Sequence, residues 1–337
     1  MSTGPNEGPN GGPDQSTDLE ALAAFLRSHP ALRAKHEIGL VGEVLGAGSW
    51  VHGPGDDGAV VAADGPPSAA VATQVIACGE AMLPAFVARD PYGAGIAAVL
   101  TNVNDLAAMG AVPLAIVDTI VGSPDVAREA LRGMKEACGW YDVALAGGHL
   151  TLHDGAPALS AFGVGRASAV LSTTHVAAGQ SLVVAAATSG TMRTDFPFFR
   201  SFSERAGRMA DDVRVLGGLA ESGACVAAKD VSMAGLVGSL AMLLEWSGLG
   251  VTLDLERLPR PAAVSMQDWL TCFPAYAFLL CCPPGREDDC LSAFHDRELE
   301  AAAVGVVDDS GLVAVRSGEA RAVVIDLTAT PVTGLAR

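Results

Sequence analysis

The sequence has little positive charge. It contains 21 Lys and Arg against 38 Asp and Glu, which gives a formal net charge of -17. Such a chain repels the phosphate backbone of DNA or RNA, so we expect no nucleic-acid partner. A single nucleotide is still compatible with this charge when divalent cations lie between the carboxylates and the phosphates.

A targeting signal, a membrane-spanning run and a regular cysteine spacing are also missing. The opening MSTGPNEGPNGGPDQSTD has neither a basic nor an apolar segment, and no uninterrupted apolar run is long enough to cross a bilayer. The seven cysteines show no repeated C-x-x-C spacing, which favours reduced thiols. These absences predict a soluble, cytoplasmic protein without a membrane partner.

Four cysteines lie close together near the C-terminal end of the chain: Cys272, Cys281, Cys282 and Cys290. The stretch FLLCC reads as a buried strand, so cysteine acting as a small core hydrophobe explains these residues adequately. A zinc site is the alternative interpretation.

What the sequence does have is enough apolar residues for two globular domains. Half of its 337 residues are hydrophobic and 18% are charged, which excludes disorder over most of the length. Residues 1–16 are mainly Gly, Pro and Asn, and predict a disordered tail. We expect an N-terminal domain at 17–168 and, after the break at HVAAGQ, a C-terminal domain at 178–330.

Helical and strand patterns alternate in both predicted domains. Thr17 and Glu20 form a capping box before LEALAAFL. AAVATQVIA, VPLAIVDTIVG and DVALAGG read as strands, and YGAGIAAVLTNVNDLAAMG and SPDVAREALRGMKEACGW as helices. The order of these elements predicts an α/β or α+β fold.

Five short stretches place polar residues at the ends of apolar elements. They are GPGDDGAVV with Asp56 and Asp57, ACGEAMLP with Glu80, NVNDLAAMGA with Asn102, Asn104 and Asp105, LAGGHLT with Gly147, Gly148 and His149, and AAKDVSMAGL with Lys229, Asp230 and Ser232.

Each stretch alone has an ordinary structural explanation. The Asp-Asp pair fits a turn, Asp105 a structural ion pair, and Glu80 a solvated loop acid. His149 fits a tight turn, and Asp230 or Ser232 a helix N-cap. Only the joint occurrence of the five stretches favours one shared site.

In this order and spacing, GDDGAVV, NVNDLAAMGA, GGHLT, GVGRA and KDVSMAGL resemble the aminoimidazole ribonucleotide (AIR) synthetase superfamily. That superfamily includes thiamine-monophosphate kinase, selenophosphate synthetase and the hydrogenase-maturation dehydratase. The resemblance covers about residues 40–325. GEAMLPAFVARDPYGAGIAAVLTNVNDLAAMGA and AAKDVSMAGLVGSLAMLLEWSG most resemble the AIR synthase-related branch, whose motifs indicate no particular chemistry.

The resemblance implies a PurM-like two-domain fold. Its N-terminal domain would form a β-barrel across a homodimer, beside a C-terminal α/β domain, with ATP and Mg²⁺ in the cleft. Metal ligands carried over from the family are Asp56 or Asp57, Asp105 and Asp230, with Glu80 as a further candidate. The resemblance also implies a set of residues around the nucleotide: Asp56, Asp57, Asn102, Asn104, Asp105, Gly147, Gly148, Asp230 and Ser232.

The sequence departs from the kinase branch at three positions. Glu80 is displaced from the Asp-Thr pair of the kinases, His149 stands where they carry Asp, and Met233 replaces the second Asp of D-x-S-D-G-L. One acid fewer argues against a thiamine-phosphate kinase. A neutral imidazole is a poor Mg²⁺ ligand, so His149 is equally a phosphate contact, a proton carrier or a structural residue.

With these residues, the resemblance implies an ATP- and Mg²⁺-dependent enzyme that phosphorylates an oxygen of a small metabolite, such as an amide or carboxylate oxygen. His149, Lys229 and Arg193 are the candidate catalytic or acceptor-orienting residues. The alternatives are a simple small-molecule kinase and a non-catalytic ATP-binding subunit. A P-loop mechanism is excluded because the chain lacks GxxxxGK[ST].

Overall fold

The computed structural model describes residues 15–45, 55–63 and 73–335. Most of the predicted tail, residues 1–14, lies outside the described part of the chain. The first helix begins at Gln15, before the Thr17 start that the capping box predicts. A difference of this size is usual at helix ends, where hydrogen bonding is incomplete.

The described residues form α-helices and strands that alternate as predicted. The helices are α1 Gln15–Ser28, α2 Pro30–Ala34, α3 Gly39–Leu45, α4 Pro84–Arg89, α5 Pro91–Ala108, α6 Pro124–Tyr141, α7 Met209–Ser222, α8 Gly235–Glu245, α9 Met266–Thr271 and α10 Glu287–His295. The strands are β1 Ala59–Ala63, β2 Gln74–Met82, β3 Val112–Gly122, β4 Ala144–Leu152, β5 Ala158–Ala167, β6 Ser181–Ala186, β7 Thr191–Met192, β8 Phe198–Arg200, β9 Ala227–Asp230, β10 Gly250–Asp254, β11 Phe273–Pro274, β12 Ala277–Cys282, β13 Glu300–Asp308, β14 Leu312–Ser317 and β15 Ala320–Asp326. The predicted mixed α/β organisation in two domains is confirmed.

The first sheet has five strands in the order β1-β2-β5-β3-β4. Only the β3–β4 pair is parallel, because α6 connects these two strands. Helix α5 packs against β2 and β5, and α6 against β3 and β4. The inner face of this sheet is therefore covered by two helices.

Two glycines let α5 and α6 approach each other closely. A Cβ added to Gly95 would lie 2.1 Å from the carbonyl oxygen of Ala130, and one added to Gly133 would lie 2.1 Å from that of Tyr92. No side chain fits at either position. The helix pair holds α5 firmly on the sheet, which fixes the residues at its C-terminal end.

The described residues leave the outer face of the first sheet uncovered. Val117 on β3 is paired with Phe162 on β5, and both side chains are exposed, Phe162 by 43%. The sheet is open, with β1 and β4 at its edges. The predicted barrel requires a second sheet, so a single chain does not test it.

The second sheet has seven strands in the order β15-β14-β10-β13-β6-β12-β9. Helices α1 and α8 pack on one face, and α7 and α10 lie over the other. Every residue of β6 and β12 is buried. Helix α1, which the sequence assigned to the N-terminal domain, packs on β14 and β15 of this sheet.

The two sheets meet through α5, which also contacts α7 and β9. A short sheet of β11, β8 and β7 lies beside this junction. Within the described ranges, no helix is long and apolar enough to span a membrane.

Candidate functional site

Three carboxylates meet at the junction between the sheets. Asp57 precedes β1, Asp105 lies in the last turn of α5, and Asp230 ends β9. One oxygen of each lies within 4.8 Å of the other two. Throughout the described segments, no other group of three His, Cys, Asp or Glu side chains is close enough to share a metal ion. The cysteines therefore provide no zinc site there.

The carboxylates are held together at an electrostatic cost. Burial raises the pKa of Asp105 and of Asp230, and the neighbouring carboxylates raise both pKa values further. A divalent cation bound to these oxygens would remove the repulsion. Carboxylate oxygens are also the ligands that Mg²⁺ prefers, so the donor set fits this ion.

Lys229 supplies part of the missing positive charge. Its ammonium group pairs with Asp57, and the Lys229 side chain is 4% exposed. Burial alone would lower the pKa of Lys229, but Asp57 and Asp230 outweigh burial and raise it. Lys229 is thus a buried counter-ion of the carboxylates.

Asp56 and Asp57 have different roles, although the resemblance leaves open which of them binds metal. Asp56 accepts hydrogen bonds from the Thr173 N–H at 2.6 Å and from the Ser172 hydroxyl at 2.7 Å. It thereby ties its loop to the segment between the sheets. Asp57 accepts a hydrogen bond from the Asp230 N–H at 3.0 Å, which orients it within the carboxylate cluster.

The carboxylate cluster opens into a cavity of 510 Å³, which we call the acidic cavity. Glu80 and Ser232 also line this cavity. Lys35, at the start of the 3-10 helix Lys35–Ile38, reaches the same cavity. Burial raises the pKa of Glu80, while the charge of Lys35 opposes that increase. Lys35 was not predicted, because a lysine in LRAKHE looks like an ordinary solvated residue.

Asn102 and Asn104 lie on α5 but do not line the acidic cavity. Asn102 donates to the carbonyls of Ala98 and Ala161. Asn104 donates to the Ala275 carbonyl at 3.2 Å, and its own side-chain oxygen is buried without a partner in the described part of the chain. The side-chain amides of both residues thus make hydrogen bonds that fix α5 in place.

Gly147, Gly148 and His149 are also separated from the carboxylates. β4 extends to Leu152, so His149 lies within the strand and pairs with Thr119. Because side chains alternate between faces, His149 points to the exposed outer face, whereas Glu80 lies on the inner one. Within one chain, these three residues do not line the acidic cavity.

Arg193 lines a second cavity, beside the acidic one. Its guanidinium bonds to Asp90 at 3.3 Å and to Asp195 at 2.9 Å. Met233 lines the same second cavity, and Glu80 lines both. Glu80 therefore marks the boundary between them.

Two protein-family models together match most of the chain. Residues 55–167 match the N-terminal domain of the AIR synthase related proteins, and residues 174–318 match their C-terminal domain. The chain belongs to this family. Its membership in the PurM-like superfamily, predicted from the sequence motifs, is confirmed.

Individual relatives support the same placement. The uncharacterized protein sll0787 of Synechocystis is 32% identical over 263 residues, covering 77% of this chain and 82% of its own length. A thiamine-monophosphate kinase of Rhodopirellula baltica is 30% identical, covering 61% of this chain and 65% of its own. The structure of Thermotoga maritima PurL with ADP has a TM-score of 0.75 at 17% identity, covering 94% of this chain but 51% of the PurL chain. At that identity, the PurL structure supports the fold alone.

Proposed function

We propose that this AIR synthase related protein is an ATP- and Mg²⁺-dependent enzyme that phosphorylates an oxygen of an amide, carboxylate or similar group of a small metabolite. The observation that carries the proposal is the convergence of Asp57, Asp105 and Asp230 from three separate segments of the chain. The ADP in the related PurL structure and the kinase among the relatives support it.

Different residues of the acidic cavity would bind the metal ion and contact the phosphate groups of ATP. Asp57, Asp105 and Asp230 would hold Mg²⁺, which neutralises phosphate charge and withdraws electrons from the transferred phosphoryl group. Lys229 keeps Asp57 oriented through their ion pair. Lys35 and Ser232 line the acidic cavity and are available to contact phosphate oxygens.

The proposed reaction transfers the γ-phosphoryl group of ATP to the acceptor. A bond forms between the γ-phosphorus and the acceptor oxygen, while the bond from that phosphorus to the oxygen of the departing ADP breaks. Phosphorylation makes the acceptor oxygen a leaving group, so that a nucleophile can displace it as phosphate. Glu80, at the boundary of the two cavities, is placed to contact the acceptor.

A homodimer is part of the proposal. The exposed pair Val117 and Phe162 on the outer face of the first sheet supports it, because isolated apolar sheet faces are normally covered. Two such faces packed together would form the predicted barrel and would also bury His149.

The test is calorimetric titration of ATP with and without Mg²⁺. We expect Asp105→Asn to weaken Mg²⁺-dependent ATP binding at least tenfold, because it removes one of three anionic ligands. The variant should fold, since it also relieves carboxylate repulsion. Asp118→Asn is the matched control, because Asp118 and Asp105 are both 7% exposed and Asp118 lies outside the carboxylate cluster. Equal ATP binding by wild type with and without Mg²⁺ would contradict the proposal.

The two alternatives give different results in the same system. With an acceptor and MgATP, an activating enzyme releases free phosphate when a nucleophile is present, whereas a simple kinase leaves phosphate on the product. Tight MgATP binding without turnover for any acceptor would favour a non-catalytic subunit. Met233 supports activation over the kinase, since it occupies the position of an acid in the kinase motif.

A further inference from the structure

The second cavity, which we call the aromatic cavity, has a volume of 400 Å³ and adjoins the acidic cavity at Glu80. The chain has 10 Phe, 4 Trp and 3 Tyr, and seven of these line this one cavity. We propose that the aromatic cavity binds the phosphoryl acceptor and that the acceptor has a planar aromatic or heteroaromatic body. This inference rests on the proposed function and adds the class of substrate.

Two stacked ring pairs form walls of the aromatic cavity. The rings of Phe86 and Phe196 are nearly parallel, with centroids 6.1 Å apart and planes 9° apart. Those of Trp140 and Phe202 have centroids 5.0 Å apart at 20°. All four side chains are half-buried, so part of each ring faces the cavity. Flat aromatic surfaces of this kind favour a flat ligand that stacks on them.

Some of the charged groups around the aromatic cavity already have polar partners. Arg193 bonds to Asp90 and Asp195, and Glu136 accepts a hydrogen bond from the Tyr92 hydroxyl. Arg200 donates a hydrogen bond to the Thr191 hydroxyl at 3.4 Å, and Arg200 and Glu80 line the same cavity. The aromatic rings, rather than a charge on the ligand body, therefore carry the proposed recognition.

Met233, which stands where the kinase motif carries an acid, is part of the aromatic cavity. Its side chain lines the aromatic cavity rather than the acidic one. A thioether packs well against aromatic rings. Met233 therefore adds apolar surface to the aromatic cavity at the position where the kinase motif carries an acid.

The position of Glu80 sets the orientation of the acceptor. Glu80 lies on the inner face of β2 and lines both cavities. An acceptor whose rings stack in the aromatic cavity would present its amide or carboxylate oxygen at Glu80, on the side of the carboxylate cluster. The two cavities together then hold the two substrates of one transfer.

The experiment compares two probes of similar size in calorimetric titrations of the full chain: 2-naphthamide and its saturated analogue, decahydro-2-naphthamide. We expect 2-naphthamide to bind at least tenfold more tightly. Trp140→Leu and Phe202→Leu should each remove most of that preference while leaving MgATP binding unchanged. Phe25→Leu is the control, because Phe25 lies on α1 outside both cavities. Two separate variants guard against one that fails to fold.

The outcomes distinguish this inference from the proposed function. If MgATP binds but the two probes bind equally, or the preference survives in both variants, the aromatic acceptor is wrong and the proposed function stands. If the chain does not bind MgATP, the proposed function fails and the acceptor assignment fails with it. A tenfold preference that requires Trp140 and Phe202, in a chain that binds MgATP, supports both.

Discussion

The two sheets differ in how completely one chain covers them. In the second sheet, β6 and β12 are buried along their whole length between α1 and α8 on one face and α7 and α10 on the other. The first sheet has α5 and α6 on its inner face, while Val117 and Phe162 lie exposed on the outer face. In the part of the chain that the structure describes, the second sheet is covered on both faces and the first on one face only.

This difference explains where the carboxylate cluster lies. Asp105 belongs to the covered side of the first sheet, and Asp230 ends an edge strand of the second. Helix α5 contacts both sheets, so the cluster is formed by rigid elements of each. The fold can tolerate the repulsion of these acids because the surrounding apolar packing holds them in place.

The largest expected effect concerns the covered sheet. Phe278 on β12 is 0% exposed, so Phe278→Ala should lower the free energy of unfolding by about 3–5 kcal/mol through lost burial and a cavity. Phe278→Leu, which keeps more of the volume, should cost roughly half of that or less. Urea denaturation measures both. A loss below about 1 kcal/mol for the alanine variant would show that this sheet is less tightly packed than described.

The uncovered face provides the second prediction. If two outer faces pair, Phe162→Asp places a charge at their contact and should raise the dimer dissociation constant roughly 100-fold or more. Phe162→Leu should leave that constant nearly unchanged. Sedimentation velocity over a range of concentrations measures it. If the wild-type chain stays monomeric at every concentration, two outer faces do not pair, and the proposed homodimer is wrong.

The inner face of the first sheet provides the third prediction. Gly133→Ala should lower the free energy of unfolding by about 2 kcal/mol, because its Cβ would collide with the backbone of α5. Gly139→Ala lies on the same helix, where a Cβ meets nothing within 4 Å, and should raise that free energy by about 0.5–1 kcal/mol. Thermal denaturation of the pair tests this, and two changes of the same sign would contradict the close packing of α5 and α6.

Much of this architecture was predictable because periodicity is strong in long, buried elements. The stretch VPLAIVDTIVG corresponds to β3, and the predicted helices around Asp105 and Met134 correspond to α5 and α6. The convergence of the acids came from the family resemblance, since no local pattern shows that Asp57, Asp105 and Asp230 are neighbours.

The errors came from strand ends, and they decided which residues reach the cavity. β2 runs to Met82, beyond the predicted AAVATQVIA, because Gly79 lets the strand continue beneath Phe162. Glu80 is therefore a strand residue on the inner face. β4 likewise continues past the predicted DVALAGG, which puts His149 on the outer face. Because side chains alternate between the two faces of a strand, each residue added at a strand end is thereby assigned to one face.

Lys35 and the aromatic cavity were beyond sequence reasoning for a different reason. The aromatic side chains come from α4, α5, α6 and the segments around β8 and β11. Their spacing along the chain carries no common period, so only the tertiary contacts bring them together. Short elements such as α4 and β8 have too few residues for a periodic signal.

The smallest effect concerns the loop that follows Asp230 and leads into α8. Ala234 has a φ of 97°, a conformation that costs a residue with a Cβ about 1 kcal/mol and that glycine adopts freely. Ala234→Gly should therefore raise the free energy of unfolding, by less than that amount because the change also removes a buried methyl group. Ala241→Gly, inside α8, should lower it by about 1 kcal/mol or more, since glycine weakens a helix and Ala241 is buried. If the backbone beside the carboxylate cluster is strained, the change from alanine to glycine should raise the free energy of unfolding at Ala234 and lower it at Ala241. Urea denaturation of the two variants tests this.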